Sequence, residues 1–73
     1  MDILEIEEKE TLSREAAADR LRAIADSLER HNGLRLQRGA VAVDLRVADE
    51  VEFELEIDVE SSDSSIEIEI SWA

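Results

Sequence analysis

The sequence predicts one α+β domain over residues 1–73, in which a single helix packs on a mainly antiparallel sheet of about five strands, in the order β-α-β-β-β-β. Three observations support this fold class. The chain has 73 residues, a length that fits one domain with a thin core. One segment repeats apolar residues at helical spacing. The other segments alternate apolar and polar residues, as half-buried strands do.

The N-terminal part of the chain predicts a short strand followed by the helix. Residues 2–8 largely alternate apolar and charged side chains, so we expect a first strand there. Ser13 suits the N-cap of a helix, because its hydroxyl can accept a hydrogen bond from the first helical turn. The apolar stripe of this helix consists of Ala17, Leu21, Ile24 and Leu28. Asn32 and Gly33 are suited to the left-handed conformation that ends a helix.

A hairpin is predicted directly after the helix. Residues 34–37 and residues 41–47 place apolar side chains at every second position. Between them, Arg38-Gly39 supplies a tight turn of the kind that joins antiparallel strands. A second turn, at residues 48–49, then leads into the last part of the chain.

The last part of the chain predicts two strongly amphipathic strands. Residues 51–60 alternate apolar and acidic side chains, residues 61–65 have turn composition, and residues 66–72 repeat the alternation up to Trp72. One face of the sheet should therefore meet the helix while the other meets solvent. The residues expected to converge in the core are Leu21, Ile24, Leu28, Val43, Phe53, Leu55 and Ile68.

Acidic residues dominate the composition and limit the partners of the chain. Twenty Asp and Glu against eight Lys and Arg give a formal net charge of -12, which repels nucleic acid and anionic membranes. High net charge is also typical of disorder, but regular periodicity with 44% apolar residues favours a folded domain. The chain has no cysteine, and its apolar runs are far shorter than the roughly 20 residues of a membrane span. We therefore expect a cytoplasmic protein without nucleic-acid or membrane partners.

Few residues of the sequence suit catalysis or cofactor binding. The single histidine, His31, falls at the end of the helix, where it interacts favourably with the helix dipole. Ser13 is better explained as a cap than as a nucleophile. Gly33 and Gly39 serve chain reversal rather than a phosphate loop. The glutamates alternate onto a solvated face, without the burial that general acid catalysis needs. We expect no enzyme activity and no cofactor.

Divalent-cation binding is the alternative function. Ca²⁺ and Mg²⁺ take oxygen ligands, so the acidic strands should attract these ions diffusely. Asp58, Glu60 and Asp63 resemble only a fragment of a calcium-binding loop, since the glycine of that loop is absent. Zinc lacks its usual ligands. We therefore expect no specific metal site.

The outer face of the sheet is the candidate interaction surface, and an acidic, non-enzymatic interaction module is the function that the sequence favours. Its candidate residues are Glu52, Glu54, Glu56, Glu67, Glu69, Arg35, Arg46 and Trp72. Trp72 is interpreted either as a core-edge residue under the helix or as a contact anchor. An unknown protein partner would bind this face. Alternatively, two copies would form a homodimer by pairing arginines with glutamates or by joining edge strands.

Three features together resemble the amphi-Trp domain family over nearly the whole chain. Residues 49–56 read Asp-Glu-Val-Glu-Phe-Glu-Leu-Glu, an amphipathic helix precedes them, and residues 68–72 close the chain as Ile-Glu-Ile-Ser-Trp. The resemblance implies a small acidic protein of a kind found largely in halophilic archaea. It implies no established activity, partner or site residue.

The composition also predicts stability that depends on salt. Seven of the eight basic residues are arginine, and Lys9 is the single lysine. Successive outward carboxylates on a strand lie roughly 6 to 7 Å apart, so they repel one another until ions screen them. At about 1 M salt the Debye length falls to roughly 3 Å. We therefore expect the chain to become more stable as salt concentration rises, as suits a halophilic environment.

Overall fold

A computed structural model describes residues 4–73 of the chain. Within these residues it contains one helix and four strands, which pair as two separate antiparallel hairpins. The elements are α1 (Arg14–His31), β1 (Gly33–Arg38), β2 (Val41–Arg46), β3 (Glu52–Val59) and β4 (Ser64–Ser71). We refer to β1–β2 as hairpin 1 and to β3–β4 as hairpin 2. The predicted α+β class is confirmed, whereas the predicted single sheet of about five strands is wrong.

Helix α1 begins and ends at the residues that the sequence predicts. Ser13 has an extended backbone, and its hydroxyl accepts a hydrogen bond from the backbone N–H of Ala16 at 3.0 Å. This bond satisfies one of the donors that the start of a helix leaves without a partner. Asn32 adopts the left-handed conformation, with φ 54° and ψ 31°, and thereby ends the helix.

Close backbone contact fixes α1 against hairpin 1. The hydroxyl of Ser27 donates to the carbonyl oxygen of Gly33 at 3.0 Å and accepts from the backbone N–H of Arg35 at 3.3 Å. Gly33 follows the helix directly, and a Cβ added to it would lie 2.0 Å from the carbonyl oxygen of Leu45. Only glycine therefore allows the chain to pass from the helix into β1 at this distance from β2.

Hairpin 1 has a tight turn at Gly39 and Ala40, one residue later than the predicted Arg38-Gly39. Arg38 pairs with Val41 across the strands, which leaves Gly39 and Ala40 as a two-residue loop. Gly39 has φ +57°, and a glycine with positive φ is the usual first residue of such a loop. Cα atoms of α1 come within 8 Å of Cα atoms of β1, so the helix lies against hairpin 1.

Hairpin 2 is a regular two-stranded ribbon. Its register places Leu55 opposite Ile68, and the backbone N–H of Glu60 donates to the carbonyl oxygen of Asp63 at 2.9 Å in the turn. Strand β4 begins at Ser64, slightly earlier than the predicted start at residue 66. The predicted alternation of the two strands is confirmed, since residues on one side of β3 pair with residues on the same side of β4.

The predicted core does not form within one chain, because hairpin 2 stands apart from the rest of the fold. In the described part of the chain, no Cα atom of β3 or β4 lies within 8 Å of a Cα atom of α1, β1 or β2. Phe53 and Leu55, expected in the core, are 63% and 54% exposed. The physical reason is that alternation specifies which side of a strand is apolar but not which sheet edge the strand joins.

The strand predicted for residues 2–8 is wrong for the part of that segment that the structure describes. Residues 4–10 contain no strand, while Asp2 and Ile3 lie outside the described residues. Leu4 and Ile6 instead line a groove between α1 and hairpin 1. The apolar residues of this segment thus line the groove without pairing as a strand.

Candidate interaction surface

Hairpin 2 presents an uncovered apolar surface along one side. We define the apolar hairpin face by the residues that point to this side of the two strands. They are Phe53, Leu55, Ile57, Val59, Ile66, Ile68 and Ile70. Within residues 4–73, excluding the side chains of Arg38 and Val41, no apolar side chain is fully buried. The apolar hairpin face contributes many of the most exposed apolar side chains. A contiguous exposed apolar surface commonly marks an interaction site.

Apolar side chains are least exposed at the base of hairpin 2 and most exposed beside its turn. Trp72, just beyond β4, is 38% exposed, whereas Val59 beside the turn is 77% exposed. At the base, Ile70 and Val51 border a depression that also contains Leu28 of α1. Hairpin 2 is therefore held to the rest of the chain at its base and projects away from it.

The opposite side of hairpin 2 is acidic apart from Ser65 and Ser71. We define the acidic hairpin face by Glu52, Glu54, Glu56, Asp58, Glu67 and Glu69. The register places Glu54 directly opposite Glu69 and Glu56 directly opposite Glu67. Like charges in such cross-strand positions are destabilising. Hairpin 2 thus combines internal repulsion on one side with unfavourable exposure of apolar surface on the other.

A second apolar surface lies between α1 and hairpin 1. This α1–β1 groove has a volume of about 630 Å³, and its apolar lining includes Leu4, Ile6, Ile24, Leu34, Leu36 and Val43. Arg20 and Arg35 add charge to the lining. Arg20 pairs with Glu10, and Nε of Arg35 lies 3.0 Å from Oδ1 of Asp44. Because these ion pairs are exposed, each contributes little stability.

Charge is divided very unevenly between the two parts of the chain. Residues 4–47 contain nine acidic and eight basic residues, so this part is nearly neutral. Residues 48–73, which include hairpin 2, contain ten acidic residues and not one basic residue. Every arginine and the single lysine therefore belong to the part of the chain that carries α1 and hairpin 1.

The structure brings together only some of the residues that the sequence assigns to an interaction surface. The five predicted glutamates share the acidic hairpin face. Arg35 and Arg46 lie on hairpin 1, which is a separate sheet. Trp72 borders a shallow depression with Val51 and Glu52 at the base of hairpin 2. The arginines and glutamates therefore do not form one mixed sheet face within a chain.

Residues considered for chemistry occupy structural positions. Ser13 caps α1, and His31 lies in its last turn. Within residues 4–73, His, Asp and Glu side chains form no group of three placed to hold a metal ion. Across the same residues, no helix combines the length and the apolar character needed to cross a membrane.

Sequence reasoning missed Ser27, the residue that joins α1 to β1. Its signal was a small polar residue between Ile24 and Leu28 of the apolar helix stripe. A hydroxyl in that position needs a local hydrogen-bond partner, and the first residues of β1 provide it.

The fold and the surface define a class of small acidic α+β proteins with a capped helix, two hairpins and a tryptophan beside the last strand. The family model of the Amphi-Trp domain matches residues 2–73. The chain therefore belongs to the Amphi-Trp domain family, and the resemblance seen in its strands and terminal tryptophan is confirmed. Neither a curated protein nor a solved structure shows significant similarity to the chain.

Proposed function

We propose that this chain is a non-enzymatic interaction module that works by self-association through the apolar hairpin face. The observation that carries the proposal is the exposure of that face along the whole of hairpin 2. Two-stranded hairpins are marginally stable alone in water and need another element against their apolar side. A second copy supplies such an element, and the acidic hairpin face then remains in solvent.

The surface area of the chain supports this proposal. Its accessible surface is 7079 Å², whereas a compact monomer of 8.2 kDa exposes about 4,500 Å². The radius of gyration is 14.2 Å, compared with about 11 Å for a compact chain of this length. Each copy therefore carries an excess of about 2,500 Å² that association would cover.

The proposed setting is a cytoplasm with high salt. The net charge of -12 and the strong preference for arginine over lysine support a protein that works where ions screen its carboxylates. The absence of cysteine fits a reducing compartment. In such a medium the carboxylates of the acidic hairpin face stay in contact with water while their mutual repulsion is screened.

Sedimentation analysis with two matched variants tests the proposal. Ile57→Lys and Glu56→Lys place the same side chain on opposite faces of β3. We expect the original chain and Glu56→Lys to sediment as a larger species at high concentration, and Ile57→Lys to remain monomeric. A folded monomer at every concentration would refute self-association. If Glu56→Lys lost association and Ile57→Lys kept it, the contact surface would be the acidic hairpin face.

Divalent-cation binding is the second candidate, favoured by the two glutamate pairs that face each other across hairpin 2. Carboxylate oxygens in such pairs would attract Ca²⁺ or Mg²⁺. Calorimetric titration with CaCl₂ and MgCl₂ in molar NaCl distinguishes the candidates. Saturable, selective binding of Ca²⁺ or Mg²⁺ that disappears in Glu54→Gln would support a cation site. A binding heat that is seen at low salt but absent in molar NaCl would indicate screening alone.

A further inference from the structure

We infer that the association is a reciprocal exchange of hairpins: the apolar hairpin face of one copy covers the α1–β1 groove of a second copy, and the second copy does the same in return. The inference rests on the self-association proposed above and specifies its geometry. It assigns the α1–β1 groove as a docking site whose occupant is hairpin 2 of another chain.

Net charge favours this arrangement over contact between two copies of hairpin 2. Residues 48–73 carry ten acidic and no basic residues, so two such hairpins brought face to face would combine only negative charges. The α1–β1 groove instead belongs to the nearly neutral part of the chain, and its lining combines Glu8 with Arg20 and Arg35, which pair with Glu10 and Asp44. A nearly neutral surface repels an acidic hairpin less than a second acidic hairpin does.

Each of the two apolar surfaces also lacks an element that covers it. The apolar hairpin face has no helix over it, and Ile24 of the helix stripe, which lines the groove, remains 41% exposed. Hairpin 2 is a ribbon of two strands, roughly 5 Å apart, whose apolar side chains project to one side. Docking this side against the groove covers both surfaces in one contact.

The amount of surface available is that of a permanent dimer. An excess of about 2,500 Å² on each chain corresponds to about 5,000 Å² in two copies, whereas obligate homodimers bury about 2,000 to 5,000 Å². A two-fold arrangement uses each face and each groove once, so the assembly closes without leaving an apolar surface for further copies.

The base of hairpin 2 favours contact between chains over closure within one chain. The backbone N–H of Val47 donates to the carbonyl oxygen of Asn32 at 3.0 Å, which fixes the start of the connection between β2 and β3 at the end of α1. Ile70 and Leu28 border the same depression at this base. The hairpin leaves from there with no Cα atom of β3 or β4 within 8 Å of α1, and so reaches outward to another copy.

Site-directed cross-linking tests the geometry, because the chain has no cysteine of its own. One chain carries Ile24→Cys in the groove, and a second chain of different tag mass carries Phe53→Cys, Leu55→Cys or Ile57→Cys on the hairpin face. The two chains are refolded together from urea and treated with a short bismaleimide. We expect at least one of the three mixtures to give a cross-linked heterodimer as its main product.

Matched controls separate the possible outcomes. Glu54→Cys on the acidic hairpin face, mixed with Ile24→Cys, should give little cross-linking. Dominant cross-links between two hairpin variants would overturn the exchange in favour of face-to-face contact. A chain carrying both Ile24→Cys and Leu55→Cys that cross-links internally, as a monomer, would overturn it in favour of closure within one chain. If sedimentation shows a dimer and cross-linking gives either of these products, only the exchange of hairpins is refuted. If sedimentation shows a monomer at every concentration, self-association itself is refuted.

Discussion

Replacing Phe53 by alanine measures how much the apolar hairpin face contributes to association. A phenylalanine side chain buries about 200 Å² when fully covered, and Phe53 is 63% exposed in the chain. A partner can therefore remove up to about 125 Å² from water, which corresponds to about 3 kcal/mol per copy. In a two-fold dimer the loss counts twice, so Phe53→Ala should weaken dimerisation about ten-thousand-fold.

The assay is sedimentation equilibrium, combined with thermal melts over a range of protein concentrations. The original chain should melt at higher temperature as its concentration rises, since association stabilises the folded state by mass action. Phe53→Ala should lose most of this dependence. Glu54→Ala, on the opposite face of the same strand, should keep it. If both variants dimerise equally well, the apolar hairpin face is not the contact surface, and the reasoning from its exposure fails.

Three further predictions concern the stability of the chain. Gly33→Ala should destabilise it by about 1 to 3 kcal/mol in urea unfolding, because the added Cβ meets the backbone of the facing strand; unchanged stability would contradict this close approach. Ser27→Ala should cost about 1 to 3 kcal/mol, since a carbonyl and an amide of β1 lose their partner, and hydrogen exchange at that amide should accelerate. Raising NaCl from about 0.1 to about 1 M should screen the glutamate pairs, and relief of about 1 kcal/mol corresponds to a rise of about 4 to 8 °C in Tm. A variant with Glu54, Glu56 and Glu67 changed to glutamine should lose most of that rise, and an equal rise in the variant would rule out screening as its cause.

Local features of the fold could be predicted from the sequence because neighbouring residues determine them. The hydroxyl of Ser13 and the left-handed Asn32 define the helix ends through bonds within a few residues. Gly39 defines the turn of hairpin 1 in the same way. The two faces of hairpin 2 follow from strict alternation, and each predicted glutamate lies on the face to which its position assigns it.

Long-range arrangement could not be predicted in the same way. Alternation requires that Leu55 and Ile68 lie on one side of a ribbon, and the structure confirms this, but no local signal states what covers that side. The close approach of Gly33 to β2 also depends on contact between elements and has no signature beyond a glycine after a helix. Arg35 and Arg46 were expected beside the glutamates because a single sheet was assumed, and they lie instead on a separate hairpin.

Reciprocal exchange would reconcile the core expected from the sequence with the exposure observed in one chain. The expected core combined Leu21 and Ile24 of the helix stripe with Phe53 and Leu55 of β3. In the proposed dimer the same side chains meet, but the helix residues belong to one copy and the strand residues to the other. A chain of 73 residues is close to the size at which a core needs extra support, and a partner supplies it without a disulfide. Binary patterning would then encode a two-layer core correctly while leaving open whether one chain or two chains complete it.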